Sequence, residues 1–358
     1  MPKKVCPGNC KYLSGPAVEP QRLKQGMSVE ELVSIYRRSG AFNGGRLAEA
    51  CDLFLKMIDE DVTIALTLTG AMTPAGLGGA IISAMEAGFI DFIISTGANL
   101  YHDLHFALGQ KLTQGDFRVD DEELFKHGVE RIYDIFITER MLLETDAFVT
   151  SSLKKYSGMG QISTSRLHRI LGEEVNAVSA RPELSILGVA AKHDIPVFTS
   201  SPGDSSIGMN LAALKLKGGT LSIDPDLDVL ETTAIVHSSP KNGALEIGGG
   251  SPKNFYMQTQ PVLWQILGIN KGGHDYFIQI TTDSPQWGGL SGATPSEAIS
   301  WGKLDPKGKK NHVVVYCDAT IAVPILLSFS LSERKPRPQK RIFQKLDGMM
   351  QDLRASAK

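Results

Sequence analysis

Cysteine is scarce in this chain: four among 358 residues are too few for a disulfide scaffold, the device of small secreted domains. Cys51 and Cys317 fall inside apolar runs, and Cys6 and Cys10 make a lone C-x3-C with no second Cys or His pair to complete a zinc site. Long apolar runs are missing as well. The longest candidates, Val62–Leu68 and Ile90–Ile94, have the length of buried strands and fall far short of the roughly 18–20 residues that span a bilayer. The opening Met-Pro-Lys-Lys-Val-Cys lacks the apolar core of a signal peptide, so the expected location is cytoplasmic. An excess of one charge is also absent. With 37 basic and 39 acidic residues the formal charge is −2, which gives no field to hold a phosphate backbone. Neither nucleic acid nor membrane is an expected partner.

Local catalytic signatures are missing in the same way. No G-x-G-x-x-G follows the first strand-like run, and G-x-x-x-x-G-K-[ST], H-E-x-x-H, C-x-x-C and G-x-S-x-G do not occur. His102 and His105 stand three apart and share a face on a helix, but no third ligand is near, so no metal is expected.

What remains is a chain with 42% hydrophobic and 21% charged residues, enough apolar side chain for a sizeable core. Residues 1–27, rich in Pro, Gly and Lys, read as an extended arm. Ser28-Val-Glu-Glu31 is a capping-box pattern that starts a helix at Val29 and lets it run to about Arg38, before Gly40. A second helix follows from Arg46. Strand-like Val62–Leu68, the turn Thr69–Gly76, a small-residue helix Leu77–Ala87 and strand-like Ile90–Ser95 then set a βαβ rhythm. A helical section is expected at Arg131–Glu144 and a helix at Leu184–Lys192. Further buried strands are expected at Ile195–Thr199, Ala244–Ile247, Tyr276–Thr282 and His312–Cys317. Buried strands that end in Gly, Ser, Thr or Asp describe an α/β fold, an open, mostly parallel, doubly wound sheet with its ligand crevice at the carboxyl ends. One domain over 28–332 is expected. The basic stretch 333–358, with Ile342, Leu346, Met349, Met350 and Leu353 on one face, is expected as a terminal helix docked by its apolar stripe.

Several strand ends carry small residues whose N–H groups can approach a pyrophosphate, and a helix starting near Gly76 offers its positive end to an anion. Gly248-Gly249-Gly250 alone is more often a tight turn than a phosphate cradle. Asp204, Asp283 and Asp318 each follow a strand-like run, where a carboxylate either caps the next helix or accepts from ribose hydroxyls. Lys303 follows a helix start at Pro295 and a stop at Gly302, beside Trp301. A lysine there is ordinarily a surface charge complementing the helix dipole. An aromatic wall that removes water would instead favour the neutral, nucleophilic amine.

Ser300-Trp-Gly-Lys303, preceded by Pro295-x-Glu-Ala-Ile and by Ser291-Gly-Ala293, resembles the catalytic segment of the deoxyhypusine synthases. The likeness extends from about Gly40 to Leu331. It takes in Thr96-Gly97 with Asp103-Leu104, Ile195–Phe198 with Asp204–Gly208, the triple glycine with Lys253, and Tyr316–Ala319. The resemblance implies NAD-dependent oxidation of an amine, capture of an aminoalkyl group as an imine on a lysine, and a homotetramer with sites at subunit interfaces. It implies Lys303 as nucleophile, with Trp301 and Glu297 lining the amine channel. It also implies NAD contacts from Gly70, Ala71, Met72, Thr73, Pro74, Thr96, Gly97, Asp204, Gly249, Thr282, Asp283, Asp318 and Ala319. Departures fall on the amine side. Tyr101 and His102 replace adjacent glutamates, Met209 and Leu290 replace aspartates, and Asn254 replaces a histidine; His102 and Asn254 are therefore expected to face a changed substrate. Burying a polycation without carboxylates leaves its charges unpaired, at a cost of roughly several kcal/mol per ion, so the expected substrate is a small-molecule amine other than spermidine. The other readings are an authentic deoxyhypusine synthase, a homospermidine synthase, a non-catalytic nucleotide-binding paralogue and a general Rossmann dehydrogenase. Whether a protein lysine accepts the group is left open.

Overall fold

All six apolar runs that end in small or acidic residues become strands of one sheet: β1 Thr63–Leu68, β2 Phe92–Ser95, β3 Val197–Thr199, β4 Asn242–Ile247, β5 Tyr276–Thr281 and β6 His312–Tyr316. The computed structural model describes residues 11–357. Every neighbouring pair is parallel, in the order β3-β2-β1-β4-β5-β6. The chain winds outward from β1 to β3, crosses back, and winds outward again from β4 to β6. The order therefore reverses between β1 and β4, which is where doubly wound sheets of this order open a crevice for a dinucleotide.

Helices cover both faces, so β1 to β5 are buried at every residue, whereas the edge strand β6 alternates. Leu66, Leu68, Ile247, Ile278 and Ile280 face one core; Ala65, Phe92, Ile94, Ala244 and Phe277 face the other. One rung breaks the apolar pattern on the second face. Thr67, Glu246 and Gln279 sit in register on β1, β4 and β5, two residues or fewer before the strands end.

The first helix runs Val29–Ser39 with both halves of the capping box formed, and Gly40 closes it at φ 58°. The second runs Phe42–Asp59, starting four residues earlier than its apolar face suggests. The middle section differs from expectation. Thr113–Gln114, Val129–Ile132 and Ile135–Thr138 form a small antiparallel sheet, and the helix begins only at Glu139, where the Thr138 side chain caps it, and runs to Lys154. Gly128 and Tyr133 at positive φ turn this chain back on itself, and the β-branched Val129, Ile132, Ile135 and Ile137 suit the hairpin better than a helix.

Between residue 11 and the first helix the only regular element is a single turn at Lys11–Leu13; Cys6 and Cys10 lie outside the described residues. At the other end the helix is shorter than expected, Ile342–Ser356, and buries Ile342, Leu346 and Leu353. The basic residues before it are used within the molecule. Arg334 meets Asp59 at 2.6 Å, Arg337 meets buried Asp91 at 2.6 Å, Lys340 meets Asp61 at 3.2 Å and Arg341 meets Asp194 at 2.8 Å. Among the described residues no helix is long and apolar enough to cross a membrane.

Candidate active site

The strand ends at the reversal point enclose a cavity of about 420 Å³. Thr69, Gly70 and Met72 line it after β1, Gly248 and Gly249 after β4, Thr282 and Asp283 after β5, and Cys317, Asp318 and Ala319 after β6. The first two glycines of the triple glycine are dictated by close approach, and the third by its φ of 57°. Gly248 has φ 81° and packs on Thr69, and a Cβ on Gly249 would collide with the Ser291 backbone. The Thr69 hydroxyl ties the two central strand ends together, donating to the Ile247 carbonyl at 3.0 Å and accepting from the Gly249 N–H at 3.0 Å. Asp283 accepts from the Ser284 N–H at 3.0 Å, and Asp318 accepts from the Thr320 N–H at 2.7 Å. Asp318 caps the helix that follows it and Asp283 caps none; each engages one carboxylate oxygen in these bonds and has a second for a hydroxyl partner.

Beside this crevice lies a second cavity of about 180 Å³, lined by Lys253, Asn254, Met257, Phe277, Leu290, Ala293, Glu297, Ala298, Trp301 and Lys303. Its lysine is delivered by a short helix, Pro295–Ser300. Thr294 caps that helix at one end, and Gly302 at φ 66° releases the chain at the other, where a Cβ would press on the Trp264 ring. The Lys303 Nζ donates to the Asn254 Oδ1 at 3.0 Å and stands 5.8 Å from the Trp301 ring centre. Its pKa is lowered, first by burial and then by the neighbouring Lys253, against the pull of Glu297 and Glu246. Lys253 is itself buried, and its ammonium donates to Gln279 Oε1 at 2.9 Å, the Ala293 carbonyl at 2.8 Å and the Ser291 carbonyl at 3.3 Å. The stretch 290–293 is a shared wall: Ser291 lines the larger cavity, while Leu290 and Ala293 line the smaller.

Sequence reasoning nominated residues that the fold distributes unevenly. Gly70, Met72, Gly249, Thr282, Asp283, Asp318 and Ala319 come together around the larger cavity, and Asn254, Glu297, Trp301 and Lys303 around the smaller. Ala71 sits half-buried in the turn after β1, while Thr73 and Pro74 are buried there, the Thr73 hydroxyl donating to the Asn99 carbonyl at 2.7 Å. Thr96 caps nothing with its side chain but accepts from the Asn99 amide at 3.1 Å, and Gly97 packs under Ser205. Asp204 is exposed in the loop after β3. His102 lines neither cavity; it bonds His105 at 3.1 Å on the helix Gly97–Ala107. Residues that sequence reasoning did not nominate include Thr69, Cys317, Ser291, Lys253, Met257 and Phe277. Thr69 and Cys317 each directly follow a strand run, a position that could have flagged them. Nothing local singles out Met257 or Phe277, which come from other elements.

A family model described as deoxyhypusine synthase matches residues 31–329. A "Deoxyhypusine synthase-like protein" from Cyanothece sp. is 47% identical over 350 residues, covering 94% of this chain and 87% of its own length. A Methanosarcina acetivorans protein named "Probable deoxyhypusine synthase 2" is 43% identical over 302 residues, covering 84% of this chain and 85% of its own. The crystal structure of an Entamoeba histolytica protein carrying a deoxyhypusine synthase name shares the fold, with TM-score 0.60 at 17% identity over 90% of this chain and 100% of that one.

Proposed function

The chain belongs to the deoxyhypusine synthase family, and from that membership we propose that it is an NAD-dependent transferase carrying an aminoalkyl-type group through an imine on Lys303. The observation that carries the reading is Lys303 itself, an amine whose ammonium form is disfavoured, in a pocket that shares its 290–293 wall with the crevice of a dinucleotide-type sheet. NAD fits the larger cavity on two counts. Bare glycine backbone at Gly248 and Gly249 admits close approach, and Asp283 and Asp318 at neighbouring strand ends suit ribose hydroxyls. Bound there, NAD supplies the hydride acceptor for the carbon that bears the substrate's amine.

The chain's own part is nucleophilic. The neutral Lys303 Nζ attacks the electrophilic carbon, its new C–N bond replacing the bond to the departing amine, which leaves carrying the proton. Asn254 orients Nζ through its carbonyl oxygen, and Trp301 with Met257 and Phe277 excludes water. Glu297 is the one carboxylate lining the pocket, against two lysines. That balance supports an amine substrate carrying less positive charge than a polyamine. The homotetramer implied by the resemblance belongs to the same proposal. Trp287, Leu290, Trp301 and Trp264, exposed by 73%, 50%, 59% and 43%, offer apolar surface near the pocket for a neighbouring subunit, to be checked by light scattering.

The test is incubation with NAD and a panel of small amines, reduction with borohydride, and peptide mapping. An amine-dependent mass gain on Lys303, absent from Lys303→Ala, is expected. No adduct with any amine, in a protein that binds NAD, refutes the reading.

A further inference from the structure

Gln279 is an amide in the middle of the otherwise largely apolar strand β5, and it is 1% exposed. Burying an amide is costly unless its polar atoms find partners, and this one has both of its donor hydrogens in use. Its Nε2 donates to the Gly248 carbonyl and to the Ser291 carbonyl, each at 2.8 Å, and its Oε1 accepts from the Lys253 ammonium at 2.9 Å. Only one orientation of the amide serves all three. The carbonyls can only accept and the ammonium can only donate, so turning the amide over would break every bond it makes.

Its three partners belong to different parts of the site. Gly248 lines the larger cavity, Lys253 lines the smaller, and Ser291 sits in the stretch 290–293 that divides them, while Gln279 itself lines neither. The dividing stretch is a single turn, Leu290–Gly292, with Leu290 50% exposed. A turn so short does not hold its own place. Bonds from other elements hold it instead. Besides the Gln279 amide, the Lys253 ammonium donates to the Ser291 carbonyl at 3.3 Å and to the Ala293 carbonyl at 2.8 Å, and the Gly250 N–H donates to the Ser291 Oγ at 2.9 Å. On the crevice side there is no slack, because a Cβ on Gly249 would already collide with the Ser291 backbone.

We propose that Gln279 is a positioning residue that fixes the dividing wall against both cavities at once, setting the fit of NAD on one side and the shape of the Lys303 pocket on the other; what the two cavities hold rests on the transferase reading above. Without the amide, the Gly248 and Ser291 carbonyls each lose a donor and Lys253 loses one of its three acceptors. The wall then moves away from the glycine backbone and from the pocket together, because one side chain ties it to both.

Hydrogen–deuterium exchange of the full chain, without any ligand, reads the wall directly. In Gln279→Met, which keeps the length of the side chain and removes its hydrogen bonds, the amides of 248–250 and 289–293 are expected to exchange about tenfold faster together, the scale of one lost hydrogen bond. Ile278→Val, next on the strand but facing the other core, controls for lost stability and should leave both segments at the parent rate. Shape is read by trapping Lys303 with butanal or with the branched 2,2-dimethylpropanal and cyanoborohydride, each rate taken relative to surface lysines of the same sample. The parent's preference for the linear aldehyde is expected to fall in Gln279→Met by about tenfold, the discrimination a pocket draws from a methyl group or two. The dissociation constant of NAD should rise in the same variant. Should the methionine variant melt early, Gln279→Glu keeps an oxygen for Lys253 and, as a carboxylate, offers no N–H to either carbonyl; the same faster exchange is expected. Unchanged exchange at the two segments in both variants overturns the proposal, as does equal acceleration in Ile278→Val or an unaltered aldehyde preference. If exchange and preference move as stated while the parent neither binds NAD nor forms an adduct with any amine, the transferase reading fails and the hold of Gln279 on the wall stands.

Discussion

Replacing Asn254 with aspartate places a carboxylate where Lys303 now meets a neutral carbonyl oxygen 3.0 Å away, with almost no change in shape. Two unit charges about 3 Å apart attract by about 1.4 kcal/mol in the dielectric of water and about four times that at the value effective near a protein surface. Lys303 is half-buried, so solvent holds the effect towards the lower limit. A rise of about 1–2 pH units in the lysine's midpoint follows, within the range an adjacent opposite charge produces. Below that midpoint each unit reduces the neutral amine about tenfold, so nucleophilic capture at fixed pH falls by about 10–100-fold. The assay needs no knowledge of the natural substrate: butanal with cyanoborohydride traps Lys303 as a butyl adduct, and its rate is read by mass spectrometry across a pH series. The profile of Asn254→Asp should be displaced to higher pH and converge with the parent once both amines are neutral. Asn254→Leu removes the hydrogen bond without adding charge and should show no such displacement. An aspartate variant as fast as the parent throughout the series would refute the claim that the Lys303 amine works from beside position 254.

Three other outcomes follow from the same structure. Gly249→Ala drives a Cβ into the Ser291 backbone, and overpacking of this kind costs about 1–3 kcal/mol; calorimetry should show a lower melting temperature, with weaker binding of the NAD proposed for this cavity, and an unaffected melt would contradict the close packing. Arg337→Ala strips the buried Asp91 of its closest cation, at 2.6 Å, and leaves it Lys340 at 3.7 Å; breaking a buried pair outright costs about 3–5 kcal/mol, and the remaining lysine holds the loss below that, readable as a shift in urea midpoint. The third concerns acid. Burial lowers the pKa of His105 and His168 to about 4 and of His274 to about 3, all below the unfolded value. The unfolded chain therefore binds more protons below about pH 6.5. The stabilisation is full above that point and declines as pH falls towards 4, by up to about 4 kcal/mol per pH unit for three groups. Burial raises the carboxyls of Asp103 to about 6, Asp228 to about 7 and Glu246 to about 8, and their contributions run the opposite way, so the histidine part is isolated in His168→Asn: the difference in melting temperature from the parent should change between pH 6.5 and 5, and a constant difference would show that His168 is already charged in the fold.

The sheet was legible because a strand buried on both faces writes itself as an unbroken apolar run, and all six runs stop at the residue types that turn a chain. Strand order was not legible, since nothing in Val197–Thr199 or Asn242–Ile247 says that the chain passes to the far side of β1 between them. The hairpin at Val129–Thr138 was misread for a different reason. Its pairing partners lie within a few residues of each other, and its strands are only partly buried, so their apolar residues fall into no strict two-residue alternation.

The site was legible in its loops and opaque in its floor. Thr282, Asp283, Asp318 and Ala319 follow strand ends and could be nominated from position alone, whereas Thr96, Gly97 and Asp204 stand at equally suitable ends on the other side of the reversal and line no part of the main cavity. Local sequence gives each strand end the same appearance; only the order of strands ranks them. Glu246 shows the deeper limit. In Ala244-Leu-Glu-Ile247 a single acid amid apolar neighbours looks like an outward-facing residue of a half-buried strand, and it becomes a buried acid, its carboxyl pushed up to about 8, only because β4 lies at the centre of a sheet covered on both faces. The cations that pull against this rise are Lys253, seven residues on and across a helix start, and Lys303, which enters from a loop 57 positions later in the chain. Side chains brought near one another from three separate elements have no spacing to recognise. What the sequence displays is the motif around Lys303, and what the fold adds is the buried acid and the buried lysine that other elements bring near it.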